Sequence, residues 1–246
     1  MNKFFRFNFT KETAVAFGAG TAMIFLSLIM LFFGGDSILD KAMSFILRDL
    51  LMIFCLGIVF VSLYVRKKED GLKAIGFTGR KKALSLVLNF LFAAGLLAMF
   101  LKDEKPAAIL EIKNLYVAAY ILVAGIFEMT FIYGYLRACF EKAFGIIPAI
   151  LLTSVFYSFH HAGFQPEFLH LFFVGLMYCS VYYITQNLLI IFPFFWGVGA
   201  LWDVIVSSEA GEGIKNLESF IIALIILVLS VGWIFIFKKR LSGQAR

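Results

Sequence analysis

Apolar residues run almost without interruption along this chain and break into eight windows, at 14–34, 45–65, 83–101, 116–136, 145–161, 168–185, 188–206 and 219–237. Each reaches or approaches the roughly 20 residues an α-helix needs to cross a hydrocarbon core. The runs do not alternate polar and apolar positions over ten-residue stretches, which excludes a transmembrane β-barrel. The pattern therefore predicts an all-α, polytopic transmembrane helical bundle of about eight spans. The longest charged link, Arg66 to Lys82, carries Gly71, Gly76 and Gly79 and divides two N-terminal helices from the six that follow. Three sections result: 1–79 with two helices and a basic loop, 80–206 as a membrane core, and 207–246 with a last helix and a basic tail. The first window, 21 residues long, exceeds a signal-peptide core and no small-residue cleavage site follows it, so it reads as a retained helix.

Composition agrees with the pattern. At 62% hydrophobic and 15% charged residues, the chain lies outside the range of soluble globular proteins, and its environment is a lipid bilayer. A net charge of +6 would suggest nucleic acid in a soluble protein; here its placement reports orientation, and no nucleic-acid partner is expected. With the N-terminus in the cytoplasm, 16 of the 22 Lys and Arg fall on inner segments, including seven in the 66–82 loop. The positive-inside rule then sets both termini in the cytoplasm, in keeping with an even number of spans. The 66–82 loop is expected to lie on anionic headgroups.

Several features read as structural. Cys55, Cys139 and Cys179 are odd in number and far apart, which suggests packing rather than disulfides or a thiolate site. The Gly18-Ala19-Gly20 cluster suits helix packing better than phosphate binding. Arg48 and Asp49, near the start of the second window, read as a solvated or snorkelling pair.

Candidate chemistry begins with Glu128, the only ionisable acid within the fourth window's final stretch and an expensive residue near a bilayer centre, at roughly 2.5–3.5 kcal/mol on insertion scales. Thr130, Tyr133 and Tyr135 are placed to share a polar cavity with it. The fifth window ends in His160 and His161, followed by the helix-ending Gly163 and Pro166. Successive residues on a helix point about 100° apart, so no more than one of the two histidines is expected to face Glu128. Depth adds a tension: counted from Arg137 as the inner end of its helix, Glu128 lies about 13 Å deep, whereas His160 lies about 24 Å from Phe144. His170, at the start of the next window, reads as interfacial, and Asp203, beside Trp202, as either interfacial or part of the site.

These residues resemble the CPBP family of intramembrane proteases, which includes CAAX-type prenyl proteases and the Abi, bacteriocin-immunity-associated proteins. Its first motif, EExxxR, aligns with Glu128, Met129 and Tyr133; its second, FxxxH, matches Phe156 to His160, with Tyr157 to His161 as another register. The third, HxxxN, falls in Pro193 to Asp203, with Gly199 at the histidine position and Asp203 at the last polar one. The resemblance covers roughly 80–206. An acid and an arginine lost together, as Met129 and Tyr133, avoid leaving one charge unpaired in hydrocarbon.

The resemblance implies a hydrolase of a bacterial cytoplasmic membrane that cleaves peptide bonds of a membrane-associated peptide or protein. It assigns Glu128 as general base and His160 to position water, stabilise the oxyanion or bind a divalent metal such as zinc, with His161, Asp203 and Tyr133 as additional candidates. Two other classes compete. One is an inactive relative that binds a partner, as in bacteriocin self-immunity; the other is a transporter relaying protons, which the lack of repeat symmetry disfavours.

Overall fold

Thr10 opens the first helix. Its hydroxyl oxygen accepts from the Thr13 amide while the Thr13 hydroxyl oxygen accepts from the Thr10 amide, both at 3.3 Å, and this reciprocal cap satisfies donors that a helix start leaves open. Helix α1 spans Lys11–Phe33, tightening to a 3₁₀ turn over Met30–Phe33. Ser37 and Asp40 repeat the capping device for α2, Ile38–Arg66, in which Phe45–Phe60 is wound with the wider i→i+5 pattern. A 3₁₀ turn at Gly71–Ile75 leads to α3, Lys82–Lys102. Helix α4 occupies 124–144, α5 is Ile146–His160 and α6 is Phe168–Thr185. The computed structural model describes residues 3–102, 124–161, 168–188 and 225.

Every element among the described residues is a helix or helical turn, in agreement with the all-α expectation. Among the described residues, three segments, Lys11–Phe33, Ile38–Arg66 and Phe168–Thr185, are long and apolar enough to cross a membrane. The windows at 188–206 and 219–237, with almost all of their residues, lie outside the described residues, as do Asp203 and the whole Pro193–Asp203 segment.

The fourth window differs from its expected course. It was expected to end at Arg137, yet α4 continues for another seven residues to Phe144, and the chain reverses at Gly145. Gly145 has φ +90°, and an added Cβ would stand 2.6 Å from the Phe4 carbonyl oxygen. The N-terminal arm closes this reversal through its backbone. Arg6 and Asn8 amides donate to the Phe144 and Ala143 carbonyls at 2.9 and 2.8 Å, while the Lys3 and Phe4 carbonyls accept from the Ile146 and Ile147 amides at 3.2 and 3.3 Å. Pro148 has no N–H to satisfy, and Ala149 already bonds to Gly145 O, so the first turn of α5 is accounted for donor by donor.

Helix α4 is the most enclosed element. Phe127, Phe131, Ile132, Tyr133, Tyr135 and Leu136 are all within 1% of full burial, with α1, α2 and α5 packed around them. It meets α2 at Gly57, where a Cβ would come 2.7 Å from the Phe127 ring and 3.2 Å from its Cα. The Thr130 hydroxyl donates across the same crossing to Gly57 O at 2.9 Å, and also lies 2.8 Å from Ile126 O. Of the small-residue cluster in α1, Gly20 does pack closely, against Phe156, whereas Gly18 faces open space.

Of the two readings of the Arg48–Asp49 pair, the structure has the snorkelling one, with the carboxylate buried rather than solvated. Asp49 is 1% exposed and holds Arg48 through two bonds of 3.0 and 3.1 Å, so the arginine side chain, 23% exposed, reaches outward from a buried carboxylate. Adjacent charges of opposite sign share one desolvated position more cheaply than either alone. Gly145→Ala is expected to destabilise the protein by about 2 kcal/mol, since it combines a left-handed backbone with a collision against backbone atoms. A lowered melting temperature of the detergent-purified variant would show it; an unchanged one would mean that the arm is not fixed at the turn.

Candidate active site

Glu128 begins the i→i+5 section of α4, Glu128–Leu136, and is 4% exposed. The helical turn at Gly145 now resolves the depth tension. Glu128 stands 17 residues before the glycine and His160 stands 15 after it, so the two reach nearly the same height on antiparallel neighbours. The structure brings both histidines to the acid: Glu128 Oε1 lies 3.6 Å from His160 Nε2 and 3.6 Å from His161 Nε2.

That arrangement corrects the expectation that no more than one histidine would face the glutamate. The regular helix ends at His160, and His161 has φ −84° and ψ −6°, a cap conformation that departs from helical spacing. Its Nδ1 is 2.9 Å from the Tyr157 carbonyl oxygen, which turns the ring back toward α4. The two imidazole centroids are 4.4 Å apart, and Phe127 and Tyr157 set their edges against His160 and His161 at 5.3 and 4.6 Å. The Gly57 crossing thus reaches the site through Phe127.

The tautomer of His161 follows from its partner. A carbonyl can only accept, so Nδ1 carries the proton and Nε2 presents a lone pair to Glu128. An acceptor facing a carboxylate oxygen at 3.6 Å makes no direct hydrogen bond. The gap suits a proton donor or a cation placed between them. Glu128, His160 and His161 offer one ligand atom each, all within 4.8 Å of one another. Three protein donors with a fourth position for water is the catalytic zinc arrangement, in which tetrahedral bonds of 2.0–2.1 Å put ligands about 3.3 Å apart. The two glutamate–histidine gaps, 3.6 Å each, lie a few tenths above that spacing, with all three donors within 4.8 Å. A backbone carbonyl on the far nitrogen of a ligating histidine is also the usual supporting contact, and His161 has it.

Tyr133 stands where the family motif has arginine. In a regular helix the fifth residue on lies about 140° around from Glu128, whereas i→i+5 winding returns it to nearly the same face. Its ring is 1% exposed and packs 5.5 Å from both Tyr157 and Tyr178, and its hydroxyl hydrogen-bonds to none of the described residues. Glu128 Oε2 is likewise buried without a hydrogen bond among the described residues. Of the other candidates, His170 is exposed on the first turn of α6 and outside this cluster. The three cysteines are free thiols, two of them buried.

Arg137 was missed as more than a boundary charge. It is 2% exposed, donates to Tyr133 O, Glu141 Oε2 and Ile75 O at 2.7, 2.6 and 3.2 Å, and lies 3.8 Å over the Tyr182 ring. Tyr183 donates to the same Glu141 oxygen at 2.9 Å. The four-residue spacing of Arg137 and Glu141 was the available signal in the sequence.

Apolar membrane-length helices and a buried acid between two imidazoles define an integral membrane protein with a buried polar centre. The model of the type II CAAX prenyl endopeptidase Rce1-like family matches residues 111–201. That stretch holds Glu128, Tyr133, His160 and His161 and stops short of Asp203, and it bears out the resemblance seen in the motifs. No curated protein and no solved structure matches the chain. Arg137→Met is expected to cost about 3 kcal/mol, because it strips buried carbonyls and a carboxylate of their cation. Chemical or thermal unfolding in detergent would measure it, and a neutral result would remove Arg137 from the set of groups that hold α4 in place.

Proposed function

We propose that this protein is an intramembrane endopeptidase that hydrolyses a peptide bond of a membrane-associated substrate at Glu128, His160 and His161. The observation that carries the reading is the convergence of one carboxylate oxygen and two imidazole nitrogens at 3.6 Å inside the helical bundle. A water held there gives one proton to Glu128 and directs the other toward the His161 Nε2 lone pair. Its oxygen bonds to the peptide carbonyl carbon and the carbonyl oxygen becomes an oxyanion. The Tyr133 hydroxyl, with no partner among the described residues, is the donor that faces this oxyanion. Collapse breaks the C–N bond, and Glu128 returns its proton to the leaving nitrogen. The distribution of Lys and Arg supports both termini on the cytoplasmic side, and the family resemblance suggests a bacterial cytoplasmic membrane as the setting.

A second reading has its own support in the His161 tautomer and the compactness of the donor set. A divalent metal such as zinc would be held by Glu128, His160 and His161. When bound, it would polarise the carbonyl and acidify its water. Tyr133 and Tyr157 keep the same tasks, the one toward the oxyanion and the other holding the His161 ring.

The test is cleavage of a panel of membrane-anchored peptides by the detergent-purified protein. Glu128→Gln and His161→Ala are each expected to lower turnover by about 10²–10⁴-fold, and Tyr133→Phe by about 10²–10³-fold. Loss on chelation, restored by added zinc, selects the metal reading; indifference to chelator selects the glutamate one. A wild type that cleaves nothing, yet binds a membrane partner equally well with and without Glu128→Gln, would instead identify an inactive relative.

A further inference from the structure

A second polar site lies at the membrane surface, where α1 begins and α2 ends. The two helices form a hairpin through the short 34–37 link, so Lys11 and Arg66 emerge at the same end. Between them is a cavity of about 330 Å³ lined by Lys11, Glu12, Val15, Tyr64, Lys67, Lys68 and Tyr135. Lys68 Nζ is 2.6 Å from Glu12 Oε1 and 4.9 Å over the Tyr64 ring. Three lysines and one glutamate thus line the cavity, a net charge of +2 with Lys68 already paired and Lys11 and Lys67 exposed at its edge. Like charges gathered in this way repel unless an anion sits among them.

We infer that this cavity binds the phosphate headgroup of an anionic phospholipid, with Lys11, Lys67 and Lys68 around the phosphate and Tyr64 against the glycerol. Position and surroundings favour a lipid over a free anion. Val15, on the cavity wall, is 52% exposed and borders the broad exposed apolar side of α1 on which Phe25 and Leu28 lie. A molecule with its phosphate among the lysines has its acyl chain on that face. Basic pockets between helices at a membrane surface hold lipid headgroups by this combination, each lysine contributing about 1 kcal/mol, or about fivefold in affinity. The inference stands on residues away from Glu128 and does not depend on the peptidase reading.

The test is native mass spectrometry of the full chain in detergent, titrated with dihexanoyl phosphatidylglycerol, dihexanoyl phosphatidylcholine or inorganic phosphate. Phosphatidylglycerol is expected to bind most tightly. The triple variant Lys11→Gln, Lys67→Gln, Lys68→Gln is expected to lose about fivefold per lysine, the corresponding triple arginine variant to keep binding, and Glu12→Gln to tighten it. The arginine variant also guards against a glutamine variant that folds poorly. Equal phosphatidylglycerol binding by wild type and the glutamine variant would overturn the site. Equal binding of phosphatidylcholine would overturn the role of charge, and inorganic phosphate competing as well as the lipid would overturn the lipid as ligand.

Discussion

A buried arginine decides how this bundle is arranged. Arg137 stands where a polar residue would ordinarily end a membrane helix, and a lone guanidinium there would be costly to desolvate. Glu141, two carbonyl oxygens and the Tyr182 ring meet it on all sides, so α4 can carry on past it to Gly145. The extra two turns lengthen the arm of the α4–α5 hairpin that bears Glu128. Without them, acid and histidines would sit at different depths.

At the site itself, electron pairs converge. The carbonyl of Tyr157 fixes one imidazole so that its lone pair points at a carboxylate oxygen, and Glu128 Oε2 and the Tyr133 hydroxyl are left without hydrogen bonds among the described residues. Such an arrangement is costly as a structural device in a low-dielectric interior, where buried polar groups are normally matched. It is well formed for gripping a water or a cation. The wide winding of α4 is part of the same geometry, since it carries position 133 round to the face of Glu128.

Much of this was legible in the sequence, and for identifiable reasons. Continuous apolar runs gave the helices, and 168–185 coincides with α6 to the residue. Glu128 and His160 stood out because charge and imidazole are rare in hydrocarbon. His161 facing the acid was not legible, because an ideal helix angle was carried one residue past the point where the helix ends. Arg137 misled because hydropathy counts a charge as solvated, and its partners Ile75 and Tyr182 lie 62 positions before it and 45 after it. The Asp49 burial was hidden by the same assumption, although its partner was the adjacent residue.

The N-terminal arm meets the hairpin turn through four main-chain hydrogen bonds, two donated by the Arg6 and Asn8 amides and two accepted by the Lys3 and Phe4 carbonyls, while the Phe7 and Phe9 rings rest 5.9 and 6.4 Å from that of Phe144. Side chains at these positions take no part in those four bonds. The hydrogen-bonded part of the clasp therefore tolerates changes of residue identity, while its peptide groups stay indispensable. Proline at 6 or 8 would delete a donor, and an inserted residue would slip the pairing by one, whereas most other exchanges leave the four bonds themselves intact. What these bonds conserve is thus the spacing of peptide groups, and the aromatic residues at 7 and 9 are what a sequence could show of the clasp.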